Sequence, residues 1–572
     1  EGAEVTEFTK YLSLKLDKTK ENLYVISDET GKRELHSYNL KSESYVKVSD
    51  EEENVKNYWF ADNGLLIATD LNGNEREQLT HFKGKEMHQL TADDNYYNHY
   101  GVHMDERFIF LRHHKDGKTF EMMDYKDGKQ TVLKTLERPS SIIGKFDDNH
   151  ILMSQAVNNL DKEIFLYNIK TAELTSTGLP AGRFGNYQSL NDSEALFTSD
   201  YLEGHLNLYK LNKDTFEFKK LTYFKWDIAK VIVLEDKNTV IFEVNKKGFS
   251  KLFKYNVEND LLETLEFFSE GVIHSLINAG DKLYTLYSDM STPHAVYEFN
   301  LTDGSTEKLF GNNKIDTDIN TVYSTYPSFD GLDVPYYLYQ QQSSNAPTAI
   351  HVHGGPESQA RPEFNELYYK LYKEGYQIAV PNIRGSTGYS KFYIGLDNQE
   401  KRIDAANDVV ELRKHLIDNH QADQDNIFIM GRSYGGFMTL LLITQFPKLW
   451  KGAVDIVGIS HFTTLLTNTP AWRREQRSHE YGFIGEHDEF MQCIAPLNNT
   501  QRIRCPLRIF HSHNDVRVPY SESVQMYEKM KKENKDVELT AYKNEGHQYL
   551  YTENQDDMNT KLIEFFNQQK NK

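Results

Sequence analysis

Cysteine is scarce in this sequence of 572 residues, which contains only Cys493 and Cys505. Secreted proteins of this size often carry more cysteines in disulfides, so two thiols favour a reducing compartment. The sequence begins without a basic region or an apolar stretch, and we therefore expect no signal peptide, unless a leader was removed before residue 1. No run approaches the roughly 18 apolar residues of a membrane helix. These features predict a cytoplasmic protein without a membrane partner.

Positive charge is also in short supply. Lys and Arg together number 65 against 85 Asp and Glu, which gives a formal net charge of −20. Binding to a phosphate backbone needs a surplus of Lys and Arg, so the composition argues against a nucleic-acid partner and against an anionic membrane surface. Aromatic residues, in contrast, are plentiful, with 36 Tyr and 32 Phe, and these suit half-buried strands. The length predicts two domains.

An aromatic residue recurs at nearly constant spacing through the first half of the chain. The successive intervals are 44, 43, 42, 42, 46 and 44 residues, between Tyr38, Phe82, Tyr125, Tyr167, Tyr209, Tyr255 and Phe299. Each unit alternates apolar and polar residues and carries turn signals such as Asp127-Gly128. A repeat of this length without helical spacing predicts a seven-bladed β-propeller, with four strands in each blade. We assign residues 1–315 to it, although residues 1–15 either complete the propeller or pack on the second domain.

From about Asp316 the pattern changes to strands that alternate with helices. Apolar runs such as TAIHVHG, NIFIMG and LRIFHS are separated by segments of helical spacing such as DAANDVVELRKHLIDN. This alternation predicts a mostly parallel sheet covered by helices on both faces, an α/β domain that spans residues 316–572.

One motif in the second half suggests a nucleophile. The segment Gly431-Arg432-Ser433-Tyr434-Gly435 matches the pattern G-x-S-x-G. The pattern alone is weak, but here it follows the predicted strand NIFIM and precedes a predicted helix, which is the setting of a nucleophile elbow. Ser433 would then lie at the carboxyl end of a strand, where open α/β sheets bind ligands. The sequence therefore predicts an α/β-hydrolase domain with Ser433 as nucleophile.

A serine nucleophile needs a base and a group that orients the base. In this fold the order along the chain is serine, acid, histidine. His547 follows the last predicted strand and Asp515 follows the strand before it, so we predict the catalytic triad Ser433, Asp515 and His547. The oxyanion needs N–H donors, and we expect them from the backbone of Tyr434 and of Gly355 in the loop His353–Pro356.

Together these motifs resemble the prolyl oligopeptidase family, and within it the acylaminoacyl-peptidase-like branch. The matching stretches, over about residues 316–570, are HGGP, PNIRGSTGYS, GRSYGGFM, AWRREQRSHEYG, NDVRVP and NEGHQ. The resemblance implies a serine peptidase that cleaves short peptides through an acyl-enzyme, with neither metal nor organic cofactor. Specificity varies in the family between acylated amino termini, free dipeptides and bonds after proline. Relatives often assemble, which leaves a homo-oligomer open.

The substrate itself is less well determined by the sequence. Arg473, Arg474 and Arg477 lie where relatives place substrate-facing groups, so they either bind a substrate carbonyl or carboxylate or form a basic surface cluster. The first half lacks a convincing match to the paired glutamates by which the dipeptidyl branch anchors a free amine. An esterase or thioesterase on the same scaffold is an alternative, because a fold does not fix a substrate. A third alternative is a non-enzymatic protein, in which the propeller binds a partner and the hydrolase domain is inactive.

Overall fold

The computed structural model describes residues 7–572 except residues 62 and 269. Seven antiparallel sheets of consecutive strands are followed by one eight-stranded sheet. This arrangement confirms the predicted fold class, a seven-bladed propeller joined to an α/β-hydrolase domain. The last propeller strand ends at Gly311 and the first strand of the large sheet begins at Thr321, on either side of the boundary expected from the sequence. Residues 1–6 of the amino-terminal segment lie outside the described residues.

The first four blades contain four strands each, in sequence order from one edge of the sheet to the other or the reverse. Their strands are β1 (Tyr11–Leu16), β2 (Asn22–Ser27), β3 (Glu34–Asn39) and β4 (Tyr45–Lys47) in blade 1; β5 (Val55–Ala61), β6 (Gly64–Thr69), β7 (Gln78–Lys83) and β8 (Glu86–Gln89) in blade 2; β9 (Tyr96–Met104), β10 (Arg107–His114), β11 (Phe120–Lys126) and β12 (Lys129–Leu136) in blade 3; and β13 (Ser141–Lys145), β14 (His150–Ala156), β15 (Lys162–Asn168) and β16 (Leu174–Ser176) in blade 4.

The other three blades follow the same plan, except that blade 7 divides its first strand in two. Their strands are β17 (Phe184–Ser189), β18 (Glu194–Ser199), β19 (Asn207–Asn212) and β20 (Phe218–Lys220) in blade 5; β21 (Asp227–Val233), β22 (Thr239–Lys246), β23 (Phe249–Asn256) and β24 (Leu261–Leu265) in blade 6; and β25 (Val272–Ile273), β26 (Ile277–Ala279), β27 (Lys282–Asp289), β28 (Thr292–Asn300) and β29 (Thr306–Gly311) in blade 7. Both β25 and β26 pair with β27.

The repeated aromatic residue has one structural role throughout the propeller. In every blade it lies on the third strand and packs against the preceding blade. Tyr167 of blade 4, for example, joins an apolar cluster with Ile109 and Met122 of blade 3. Tyr38 of blade 1 packs in the same way against Leu286 of blade 7 and so closes the ring. The aromatic residue therefore recurs once per blade because each blade uses it to contact the preceding blade. A large aromatic side chain contributes the most buried area at such a contact.

Among the described strands, blades 1 and 7 share none, and their described contacts are made by side chains and loops. Besides the cluster around Tyr38, the backbone N–H of Thr9 donates to the Asn312 side chain at 2.9 Å, and the Asn312 amide donates back to the Thr9 carbonyl at 2.8 Å. Phe8, just before this contact, packs edge-on against Phe364 and Tyr369 of the hydrolase domain. The amino-terminal segment thus contacts both domains.

The hydrolase sheet has the order β30-β31-β33-β32-β34-β35-β36-β37. The two pairings that involve β31 are antiparallel and the others are parallel. The strands are β30 (Thr321–Pro327), β31 (Asp333–Tyr339), β32 (Ala346–Val352), β33 (Gln377–Pro381), β34 (Ala422–Arg432), β35 (Gly452–Ile456), β36 (Leu507–Ser512) and β37 (Val537–Tyr542).

Helices cover both faces of this sheet, as the alternating pattern predicted. They are α1 (Glu366–Lys373), α2 (Lys391–Ile394), α3 (Arg402–Asn419), α4 (Tyr434–Gln445), α5 (Phe462–Thr467), α6 (Ala471–Tyr481), α7 (Asp488–Ile494), α8 (Ser521–Lys532) and α9 (Thr552–Gln569). One apolar cluster packs under α3, α4 and α8, and a second packs under α1 and α9. Of the helices described, none combines the length and the apolar character that a membrane crossing requires.

Residues 357–364, which follow the Gly355-Pro356 loop, form an interdomain segment between the hydrolase domain and the propeller. Every second side chain of this segment contacts a propeller residue, as in an extended chain. The contacts join Glu357 to Asn159, Gln359 to Asn245, Arg361 to Glu243, and Glu363 to His274 and His294. Phe364 at its end is buried in the hydrolase core. The segment that leaves the predicted oxyanion loop therefore also holds the two domains together.

Candidate active site

Ser433 lies in a sharp turn between β34 and α4. Its backbone has φ 57° and ψ −116°, a conformation that is strained for any residue with a side chain. A Cβ at Gly431 would overlap the carbonyl of Gly435, and a Cβ at Gly435 would overlap the carbonyl of Val352. Both flanking positions therefore require glycine, which is the physical reason for the G-x-S-x-G pattern.

The structure brings the three predicted triad residues together. The Ser433 Oγ lies 3.0 Å from Nε2 of His547, and Nδ1 of His547 lies 2.8 Å from Oδ2 of Asp515. An ionised carboxylate only accepts hydrogen bonds, so Nδ1 carries the ring proton. This leaves the lone pair of Nε2 free to accept the hydroxyl proton of Ser433. Ser433 follows β34, Asp515 follows β36 and His547 follows β37. In the sheet β36 and β37 are neighbours, and β35 lies between β34 and β36.

The surroundings of Asp515 keep it ionised. Burial by itself opposes ionisation, but the contacts with His547 and His511 outweigh it and hold the pKa of Asp515 well below its usual range. Its second oxygen accepts the backbone N–H groups of Arg517 and Val518, both at 2.9 Å. The carboxylate is therefore fixed from several directions, with one oxygen directed at His547.

His511 is a member of the site that the sequence reasoning missed. It is fully buried at the end of β36, and its Nε2 donates to the Val518 carbonyl at 2.9 Å and lies 3.3 Å from Oδ2 of Asp515. Its Nδ1 accepts the hydroxyl of Ser523 at 2.5 Å. The available signal was its position four residues before Asp515, on a strand whose residues are all buried except Arg508.

The two segments expected to supply oxyanion donors both adjoin Ser433. Tyr434 is the first residue of α4, so its N–H has no acceptor inside the helix and lies at the positive end of the helix dipole. A Cβ at Gly354 would lie 3.4 Å from the Ser433 Cβ, which places the glycine loop directly beside the nucleophile. The His353 Nε2 bonds the Ser386 Oγ at 2.7 Å and holds this loop in position.

A buried charge cluster lies behind Tyr434. Arg402 is fully buried and donates to the Tyr434 hydroxyl at 2.8 Å, to Asp397 at 2.6 Å and to Glu480 at 2.7 Å. Burial raises the pKa of Asp397 to about 6, and burial together with the Asp397 charge raises the pKa of Glu480 strongly. The cluster therefore holds the Tyr434 side chain, in the first turn of α4, by hydrogen bonds to its hydroxyl. Arg402 lies only five residues from Asp397 but 78 residues from Glu480, and nothing in the sequence indicated that these three side chains meet.

A cavity of about 460 Å³ opens beside Ser433 and His547. Its walls come from the Gly354–Ser358 loop, from α6 and from the segment after Asp515. Arginine dominates the charged part of the lining, with Arg432, Arg473, Arg477 and Arg517 against the carboxylate of Glu357. Glu357 itself accepts from Arg477 at 3.0 Å and from Asn159 of the propeller at 2.7 Å. The cavity is therefore basic overall.

The three arginines predicted to bind substrate lie on different sides of α6. Arg473 and Arg477 line the cavity, whereas Arg474 does not. The Arg474 guanidinium donates to the carbonyls of Leu466, Thr467 and Thr469 and so holds the turn before α6. The expectation for Arg474 was wrong, because successive helical residues point about 100° apart and only two of the three can share one face.

Arg473 differs from the other arginines of the cavity in its partners. Within the described part of the chain, no acceptor lies within hydrogen-bonding distance of its guanidinium. Burial and the nearby Arg517 and Arg477 lower its pKa, since each opposes a further positive charge. An anionic or strongly polar group in the cavity would offset the free-energy cost of keeping the Arg473 guanidinium charged.

The fold and the geometry of this site are those of a serine hydrolase. Residues 362–572 match the sequence model of the Prolyl oligopeptidase family. This match lies within the hydrolase part of the chain and confirms the family resemblance predicted from the motifs.

Individual relatives differ in their specificity. Dipeptidyl aminopeptidase BIII of Pseudoxanthomonas mexicana is 28% identical over 314 residues, 51% of this chain and 45% of the relative. Acylamino-acid-releasing enzyme of Sus scrofa is 25% identical over 230 residues, 38% of this chain and 31% of the relative. The matched region thus spans less than half the length of these curated relatives.

A solved structure resembles nearly the whole chain. A puromycin-hydrolyzing peptidase of Mycobacterium tuberculosis superposes with a TM-score of 0.87 at 14% identity, covering 99% of this chain and 95% of that one. At this identity the likeness concerns the fold, propeller and hydrolase together.

Proposed function

We propose that this protein is a serine peptidase that hydrolyses short peptides through an acyl-enzyme on Ser433. The observation that carries the proposal is the continuous hydrogen-bonded chain from Ser433 Oγ through His547 to Asp515. In the first step Ser433 attacks the peptide carbonyl while Nε2 of His547 takes its proton. Asp515 holds the ring in the tautomer that accepts this proton and stabilises the imidazolium that forms.

The oxyanion of the tetrahedral intermediate is stabilised by the N–H groups of Tyr434 and Gly355. His547 then gives its proton to the leaving amine, and the amino-terminal part of the substrate remains as an ester on Ser433. Water enters, His547 removes a proton from it, and the acyl group leaves. Every proton in this cycle passes through Nε2 of one histidine, so the cycle needs neither a metal nor an organic cofactor.

Arg473 is the cavity group that we assign to substrate binding, with Arg477 as its neighbour. The Arg473 guanidinium has no hydrogen-bond acceptor among the described residues, and a substrate carbonyl or carboxylate would supply one. Arg477 already bonds Glu357, so it contributes mainly by holding that carboxylate in place. The basic lining favours peptides that bring a carbonyl or an acidic group to this wall and supports an acylaminoacyl peptidase or oligopeptidase.

A dipeptidyl peptidase is the second candidate, and Glu357 is the observation that favours it. This carboxylate lines the cavity, and a curated relative is named a dipeptidyl aminopeptidase. A free substrate amine would need an uncompensated negative charge, however, and Glu357 already pairs with Arg477 and Asn159. We therefore rank the blocked amino terminus first.

Two matched substrates test this ranking. Turnover of acetyl-alanyl anilide and of alanyl-alanyl anilide would be measured with the Ser433→Ala variant as blank. Preference for the acetylated substrate supports the ranking, and preference for the free dipeptide reverses it in favour of Glu357 as an amine anchor. A matched alanyl ester addresses the esterase alternative, because an esterase would cleave the ester and leave both anilides intact.

We also propose that the propeller comprises residues 1–315 and the hydrolase domain residues 316–572. For the location of the protein we propose the cytoplasm. Cys493 is exposed and Cys505 is buried, and the structure pairs neither, which suits a reducing compartment. A homo-oligomer, as often found among relatives, would be detected by light scattering at several protein concentrations.

A further inference from the structure

A group of metal-ligating side chains lies at the junction of blade 7 and the interdomain segment. His274 follows β25, His294 lies on β28, and Glu363 precedes the buried Phe364 of the hydrolase domain. One ligand atom from each residue lies within 4.8 Å of the others. The three residues come from two domains and are separate from the triad, so this group has no part in the peptidase mechanism.

The distances between these atoms suit a bound ion. Nε2 of His274 lies 2.8 Å from Oε2 of Glu363, Nε2 of His294 lies 3.3 Å from the same oxygen, and the two nitrogens are 3.2 Å apart. A tetrahedral ion with bonds of about 2.0–2.1 Å holds its ligand atoms about 3.3 Å apart. Two of the three separations match this value, and the third needs a shift of about half an ångström.

The surroundings keep the site in place and leave it accessible. Arg361, two residues before Glu363, is held by Glu243 and by the Gly248 carbonyl, both at 2.9 Å. The side chains of His274 and Glu363 are 28% and 42% exposed, so water can reach the remaining coordination position. His274 also lines a second cavity, of about 730 Å³.

We propose that His274, His294 and Glu363 form a binding site for a divalent transition metal ion of the Zn²⁺ class, joining blade 7 to the hydrolase domain. Two imidazoles and one carboxylate are ligands that Zn²⁺ prefers, whereas Mg²⁺ and Ca²⁺ prefer oxygen alone. Such an ion links β28 of the propeller to the segment that leads from the Gly355 loop, so it stabilises the domain interface. This inference does not depend on the proposed peptidase activity.

Direct metal binding by the tag-free full chain, stripped of metal with a chelator, tests the site. Zn²⁺ would be titrated by calorimetry, and Co²⁺ by its visible absorption. We expect one ion per chain in the wild type, and binding at least roughly tenfold weaker in His294→Ala and in Glu363→Gln. His88→Ala is the matched control, because His88 is an exposed propeller histidine beside Glu86. It should bind as the wild type does.

Thermal unfolding gives a second readout that does not use activity. Zn²⁺ should raise Tm in the wild type and in His88→Ala, and at the same Zn²⁺ concentration raise it less in Glu363→Gln, a substitution that preserves shape. If His294→Ala fails to fold, Zn²⁺ binding by the wild type is compared with Zn²⁺ binding by Glu363→Gln and His274→Gln instead. Absence of stoichiometric binding would overturn the proposal and leave the cluster as two imidazoles hydrogen-bonded to one carboxylate. Undiminished binding in the ligand variants would also overturn it, because the ion would then lie elsewhere.

Discussion

Gly73 of the propeller packs directly against Gly546, the residue that precedes His547. A Cβ on Gly73 would overlap the backbone nitrogen of Gly546, and a Cβ on Gly546 would overlap the carbonyl of Gly73. Arg517, from the segment after Asp515, reaches the same propeller loop and bonds Glu75 at 2.7 Å. The loop after β6 therefore supports the two chain segments that carry the acid and the base.

We expect Gly73→Ala to lower kcat by about tenfold or more, because the added methyl group must displace Gly546 and with it His547. Gly84→Ala is the matched control. Gly84 lies in the same blade and also has positive φ, but a Cβ there meets nothing within 4 Å. Both variants should lose about 1–3 kcal/mol of stability from backbone strain. Equal kcat values in the two variants would show that the contact does not position the base.

Asp515→Asn should lower kcat by about 10⁴-fold while the protein stays folded, because an amide no longer selects the working tautomer of His547. Asp418→Asn, an exposed change on α3, is the control and should leave kcat unchanged. Steady-state kinetics with one peptide anilide suffices. A loss of less than tenfold in Asp515→Asn would mean that another carboxylate orients the histidine.

Arg473→Met should raise KM for peptide substrates by about 10-fold or more with a smaller effect on kcat, because a hydrogen bond to a charged group contributes about 1.5–3 kcal/mol. The exposed Arg504, outside the cavity, offers Arg504→Met as a control for the loss of one positive charge. An unchanged KM in Arg473→Met would assign the guanidinium a structural role.

Asp455 gives a prediction about pH. It is fully buried near α4, and burial raises its pKa to about 7 despite the opposing effect of His511. A carboxyl group with a raised pKa in the folded state stabilises the fold below its unfolded pKa of about 3.9, and this contribution is lost as the pH rises through 7. Since one pKa unit corresponds to about 1.36 kcal/mol, this group lowers the free energy of unfolding by up to about 4 kcal/mol between pH 4 and pH 8.

Asp455→Asn removes this titration. Urea unfolding at pH 5 and at pH 8 should therefore show a smaller loss of stability with pH in the variant than in the wild type. Other groups titrate in the same range, but they are common to both proteins and cancel in the difference. Parallel pH profiles of the two proteins would contradict the raised pKa.

The sequence predicted the parts of this protein that repeat or that obey a local rule. The seven aromatic residues were found by spacing, because each blade needs the same side chain against its neighbour. Ser433, Asp515 and His547 were found because each follows a strand of the same sheet, and that order along the chain is visible without a structure. Strand ends such as Val352 and Ser512 agreed with the apolar runs that predicted them.

Contacts between distant segments left no such pattern. Arg402 meets Glu480 across 78 residues, and Arg361 meets Glu243 across 118. His274 and Glu363 come from different domains, and each has an ordinary polar context in the sequence. The error at Arg474 had a similar origin, because three neighbouring arginines were treated as one group before the rotation of the helix was known.

The central claim is that Ser433 is an activated nucleophile, and covalent labelling tests it most directly. The wild type, Ser433→Ala and His547→Ala would be treated with a fluorophosphonate, and the intact mass and the labelled peptide would be determined. The account predicts one adduct per chain on the peptide that contains Ser433, with no adduct in Ser433→Ala and much slower labelling in His547→Ala. An unlabelled wild type, or an adduct on another serine, would contradict it.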